Sequence, residues 1–222
     1  MLLEAVETTI LFLSALFPIV NPLGGSPIFL ALTREYSPVS RRLLSQRVAL
    51  NSFILLVGSG LIGTHILAFF GISLPIVQVG GGMVVIVTGW HMLQQKDDDD
   101  NPDTQVHHDV NVRDIFRSAF YPFTLPLTVG PGSISVAITL GANAARHGGP
   151  IYLDVVVLVI ASALLAVSIY ICYGFSDRIA MLLGPTAMSV IMRLSSFLLV
   201  CIGVQIFWNG ASELLHTVFT AH

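Results

Sequence analysis

Six stretches of this chain are apolar for long enough to cross a lipid bilayer as helices, and every other feature has to be compatible with that. A hydrocarbon core of about 30 Å takes roughly 20 apolar residues at about 1.5 Å each. The stretches run over about 5–33, 48–70, 75–93, 115–141, 151–174 and 190–213. Composition agrees: 54% of the 222 residues are hydrophobic and 10% are charged, with mean hydropathy +0.82. A soluble domain carries about a quarter charged residues. Short alternating segments of the β-barrel kind do not compete with this reading. The expected fold is an all-α membrane protein with six transmembrane helices.

The first and fourth stretches are too long for one straight crossing, and both are interrupted. FPIVNPLGGSPIFLAL (17–32) and YPFTLPLTVGPGSISV (121–136) align so that Pro18, Pro22 and Pro27 fall on Pro122, Pro126 and Pro131, a constant offset of 104. A weaker echo sets QVGGGMVVIV (78–87) against RLSSFLLVCI (193–202), with small residues in matching places. The chain therefore reads as two copies of a three-span unit. Three is odd, so the second copy enters the membrane the other way up. The expected organisation is a first three-helix repeat over 1–93, an acidic loop over 94–114 and a second, inverted repeat over 115–222, with helices 1 and 4 broken mid-membrane. Secondary transporters built from inverted repeats place their site where two discontinuous helices meet. Lipid cannot satisfy the backbone groups that a break frees, so a break must face protein or a wet cavity.

Six spans put both termini on one side. That side carries one basic residue, Arg146; the other carries Arg34, Arg41, Arg42, Arg47, Lys96, Arg113, Arg117, Arg178 and Arg193. The positive-inside rule then places loops 1–2, 3–4 and 5–6 in the cytoplasm and both termini outside. MLLEAVETT lacks the basic n-region of a cleaved signal peptide, so the first span is expected to be retained. The KDDDDNPD run and the following His107 and His108 read as a solvated loop, with a weak metal site as the alternative. Net charge is only −3, which suggests no nucleic-acid partner.

The breaks supply the chemistry. Pro22 and Pro27 lack an N–H and disturb the helical ladder. Gly24 and Gly25 are expected to let the backbone unwind and a ligand approach closely. Asn21 and Ser26 add side-chain donors and acceptors, and a half-helix starting near Ser26 would point its positive end at a carboxylate. The second copy offers Thr128, Gly130, Pro131, Gly132, Ser133 and Ser135. Together they would hold a small neutral zwitterion.

NPLGGSPIFLALT (21–33), PLTVGPGSISVAITLGA (126–142), QVGGGMVVIVTGWHML (78–93) and RLSSFLLVCIGVQIFWNG (193–210) together resemble the MarC family of bacterial and archaeal integral membrane proteins. The likeness follows the family's order of elements along nearly the whole chain. It implies the asparagine-proline-glycine break at Asn21, Pro22 and Gly24 and the second break at Pro126, Gly130 and Pro131. Ser196 departs from it, since glycine is common there. The resemblance implies a transporter class, with neutral amino acids such as glycine, alanine and serine as suggested substrates.

The remaining polar residues are less specific. His65 is a candidate for proton coupling, since histidine titrates near physiological pH, and H+ or Na+ are the candidate coupling ions. Glu4, Glu7, Asp154, Arg193 and Glu213 lie near the expected interfaces and suit anchoring. Gln78, Thr88, Gln205 and Asn209 could line a cavity or join helices and are assigned to packing, as is the GGG at 80–82. Ser59 and Gly63, at small-xxx-small spacing, would support a homo-oligomer. Cys172 and Cys201 read as small apolar residues. No hydrolase triad, zinc motif or phosphate-binding loop occurs, so no enzyme activity and no cofactor are expected. The leading function is secondary transport of small neutral solutes by alternating access. A passive channel and a membrane scaffold without flux are the alternatives.

Overall fold

The computed structural model describes residues 2–94, 112–146 and 151–220. The acidic run and both loop histidines lie outside these residues. Among the described residues the chain is all-helical, without a strand. Five helices are long and apolar enough to cross a membrane, and the bent pair Ile115–Thr128 and Pro131–Asn143 makes a sixth span if counted as one.

The elements are α1 (Leu2–Val20), α2 (Pro22–Leu32), α3 (Pro38–Phe69), α4 (Leu74–Gln94), α5 (Val112–Ser118), a wide-turn segment (Ala119–Thr128), α6 (Pro131–Arg146), α7 (Ile151–Gly174) and α8 (Ser176–Thr220). α3 starts ten residues before the apolar run that announced it. Ser37 accepts the Ser40 N–H at 3.2 Å, and Pro38 takes the first helical position, where its missing N–H costs nothing. α8 is divided by Gly184, whose φ of 74° only glycine adopts readily. The span itself follows, over Thr186–Thr217.

Apolar side chains cover the outside of the bundle. Ile54, Ile62, Val167 and Val204 are each more than half exposed, as a lipid-facing surface requires. With apolar side chains equally content in lipid, close approach of small residues holds the helices together. α3 packs on α7 and α6, and α4 packs on α8. Along the α4–α8 seam, a Cβ on Gly82 would lie 2.5 Å from the Phe207 nitrogen, and one on Gly203 would lie 2.7 Å from the Ile86 nitrogen. Gly81 backs onto Ser135 instead, and only Gly80 of the triplet meets open space. Ser196, for all its departure from glycine, is fully buried, and its carbonyl would lie 3.0 Å from a Cβ on Gly89. Gly63 is occupied inside the chain by Ile138, which removes it from the expected oligomer surface.

A buried arginine ties the two halves together. Arg41 is 6% exposed. Its Nε donates to Thr33 Oγ1 at 3.0 Å, one Nη donates to the Thr33 carbonyl at 2.8 Å, and the other pairs with Asp177 at the start of α8. Arg42 and Arg47 lie over the rings of Phe175 and Phe116, 4.9 and 4.2 Å from the centroids.

Candidate functional site

The two interrupted segments behave differently. In the first, the departure from helix is confined to Asn21, at φ 46° and ψ 58°. Asparagine tolerates this left-handed geometry because its short side chain bonds locally. Here Asn21 Oδ1 accepts the Gly24 N–H at 3.1 Å and caps α2. The ladder continues on both sides, with Asn21 N–H to Phe17 O at 2.8 Å and Gly25 N–H to Asn21 O at 2.9 Å. The expected unwinding at Gly24 and Gly25 is absent, and the second half-helix begins at Pro22 rather than near Ser26.

In the second segment Tyr121 (φ −128°, ψ 123°) and Leu125 (φ −107°, ψ 125°) are extended. Each is joined to the proline that follows it by a cis peptide bond. The chain bends by 72° before α6. Threonine hydroxyls bond back to carbonyls of the same segment: Thr124 Oγ1 donates to Ala119 O at 2.6 Å and Thr128 Oγ1 to Phe123 O at 2.7 Å.

Both segments border one cavity of about 290 Å³, near the lower end of ordinary ligand pockets. Asn21 and Gly25 line it from the first segment, and Thr128, Gly130, Pro131, Gly132 and Ser133 from the second. The other four expected residues face protein, and among them Ser135 Oγ donates to Val77 O at 3.2 Å. Pro22 is buried, Ser26 Oγ donates to the Cys172 carbonyl at 2.9 Å, and Gly24 packs under Ser195 Cβ. The glycine pair thus admits protein, since a Cβ on Gly25 would stand 2.5 Å from the Tyr173 hydroxyl.

Tyr173 was not legible as part of the site. It is fully buried on α7, with its ring stacked on Phe29 at 4.5 Å between centroids. Its hydroxyl lies 3.1 Å from Thr128 Oγ1. The Thr128 proton goes to Phe123, so Tyr173 is the donor. α4 and α8 close the cavity with Val84, Val85, Thr88, Met92 and Leu199. Thr88 therefore faces the cavity, though its hydroxyl bonds Val84 O at 2.8 Å within its own helix.

Among the described residues no ionisable side chain lines this cavity. His65 is exposed on α3 and does not contribute. Its polar features are few. Gly132 and Ser133 occupy the first turn of α6, where the helix itself cannot pair the N–H groups. Asn21 Nδ2 is buried and has no hydrogen-bond partner. Both features present donors to a carboxylate or carbonyl oxygen. Among the described residues no group of three metal-ligating side chains occurs.

Residues 6–215 match the family described as MarC family integral membrane protein. Among curated relatives, the inner membrane protein MarC of Salmonella typhimurium (strain LT2) is 32% identical over 209 residues, 92% of this chain and 94% of the relative. The inner membrane proteins MarC of Citrobacter koseri and of Escherichia coli O1:K1 are 31% and 30% identical, with the same coverage of both chains. No solved structure matches the chain at a significant level.

Proposed function

The chain belongs to the MarC family of integral membrane proteins, and within that family we propose that it is a secondary transporter of small neutral solutes, with neutral amino acids as the substrate class. One observation carries the reading. Two proline-interrupted segments, 104 residues apart, open onto the same cavity, and none of the residues lining it is ionisable. A net charge there would have no counter-charge and would be costly. A zwitterion or an uncharged polar solute suits it. Its carboxylate would sit at the α6 N-terminus and Asn21 Nδ2, and its ammonium against backbone carbonyls.

The inverted repeat belongs to the same proposal. It is supported by the pairing of α3 with α7 and of α4 with α8, so that second packs on fifth span and third on sixth. The excess of basic residues on loops 1–2, 3–4 and 5–6 supports termini outside the cytoplasm. Coupling to H+ or Na+ would need a carrier group; the cavity offers carbonyls for a cation and no side chain that titrates near neutrality.

Counterflow in proteoliposomes tests the reading. Vesicles loaded with unlabelled alanine, glycine or serine are offered the same solute in labelled form. The expected result is saturable accumulation that Gly130→Leu removes. A Cβ on Gly130 meets only the Pro126 carbonyl, at 3.3 Å, so the substitution fills the cavity without displacing a helix. Fast non-saturating flux would mean a channel, and no flux from folded protein would leave a scaffold.

A further inference from the structure

A second cavity, of about 310 Å³, lies against α1, α4, α6 and α8, four of the elements that also border the first. The order along each element fixes where it stands relative to the first. On α1 it takes Ser14 to Ile19, while the first cavity takes Ile19 and Val20. On α4 it takes Gln78, ten residues before Thr88 or about 15 Å along the helix. On α6 and α8 the order reverses: Ser133 then Thr139, and Leu199 then Asn209. The cavities are therefore stacked end to end in one crevice, and Ile19 borders both.

The lining of the second cavity is again free of ionisable groups, but it is rich in carboxamides: Gln78, Gln205 and Asn209. Helix-to-helix bonding accounts for only part of them. Gln78 Nε2 donates to Thr139 Oγ1 at 3.3 Å and joins α4 to α6. Gln205 Nε2 donates to Asn209 Oδ1 at 2.8 Å, yet both stand on α8 and join nothing. Gln78 Oε1 is buried with no partner, and an unmade bond of that kind is expensive. Two amide atoms in the described chain are buried and unpartnered, Asn21 Nδ2 and Gln78 Oε1. One belongs to a residue in the lining of each cavity. The first is a donor and the second an acceptor.

We propose that the Gln78–Gln205–Asn209 cavity is a second binding subsite for small uncharged or zwitterionic solutes, in which Gln78 Oε1 accepts from an ammonium or hydroxyl group, and that Ile19 separates it from the first site. The proposal rests on the transport reading for its solute class. Its cavity and its occupancy can be measured without flux.

The test uses the full chain in nanodiscs, with Cys172 and Cys201 replaced by alanine, and a charged methanethiosulfonate reagent that reaches water and not lipid. Cysteine at Asn209 or at Thr139 should react, and cysteine at lipid-facing Val204 should not. Saturating alanine, glycine or serine should slow the reaction at Asn209→Cys at least fivefold. In counterflow, Gln78→Leu should raise the half-saturation concentration about tenfold, the scale of one hydrogen bond. Asn209→Ala, which removes only an intrahelical bond, should raise it severalfold and guards against misfolding of the Gln78 variant. Unreactive cysteines at both positions would overturn the subsite, as would reaction that none of the three solutes slows while the wild type still shows counterflow. Protection without any counterflow would keep the subsite and overturn the transporter.

Discussion

The two proline-bearing segments share one spacing and fold in two ways. Around Pro22 the chain departs from helix at a single left-handed residue, and the backbone ladder runs through. Around Pro126 it takes two extended residues and a 72° bend. The difference traces to the residue before the middle proline. Asn21 can adopt positive φ and bond to Gly24; Leu125 has neither option and is extended. Proline spacing therefore says where a membrane helix is interrupted. The preceding side chain says how.

The largest effect that separates the segments should come from their glycines. Gly25→Leu drives a side chain into the buried Tyr173 hydroxyl, and folded protein should be lost in size-exclusion profiles. Gly130→Leu, against the open cavity, should elute like the wild type. Matching profiles for the two variants would erase the distinction between a packed glycine and a cavity glycine.

Asn21 comes next. Alanine loses the cap and keeps the unfavourable left-handed backbone, a destabilisation of about 2–3 kcal/mol. Glycine accepts that backbone and should cost only a few tenths of a kcal/mol. Thermal unfolding in detergent should show a clear drop for Asn21→Ala and almost none for Asn21→Gly. Equal drops would mean that the left-handed turn is not what holds the first segment together.

The smallest effect concerns the hydroxyl link to α7. Hydrogen bonds between membrane helices contribute about 0.6 kcal/mol on average and at most about 1.7. Thr128→Val, which also loses the bond to Phe123 O, and Tyr173→Phe should each destabilise on that scale, and together by less than their sum, because they break one shared bond. Strict additivity in the double-mutant cycle would detach Tyr173 from the second segment.

These contrasts mark what a sequence discloses. The spans were legible because hydropathy needs only a count of consecutive apolar residues. The early start of α3 was not, since Arg41 reads as loop until burial beside Thr33 and Asp177 gives it partners. Asn21, Thr128 and the Gly130–Ser133 turn could be named because prolines flag them. Ser26 carried the same flag and instead bonds Cys172. Tyr173 and Leu199 carry no local signal, because which face of a long apolar helix meets a cavity depends on residues far away in sequence. Gln78, Gln205 and Asn209 were visible as polar residues in apolar spans. Only their shared cavity separates a solute-facing amide from one that joins helices.

The seam between α4 and α8 has a consequence for how such a protein can change over generations. At Gly82 and Gly203 the nearest obstacle to a new methyl group is the main chain of the other helix, at Phe207 and at Ile86. A clash with a side chain can be relieved by trimming that side chain in a second mutation. A clash with a peptide group has no such remedy, because every residue type carries one. Second-site suppressors of substitutions at these two glycines should therefore be absent from selections. Altered solute preference should arise instead through Thr88 and Leu199, which lie on the same two helices but face the cavity.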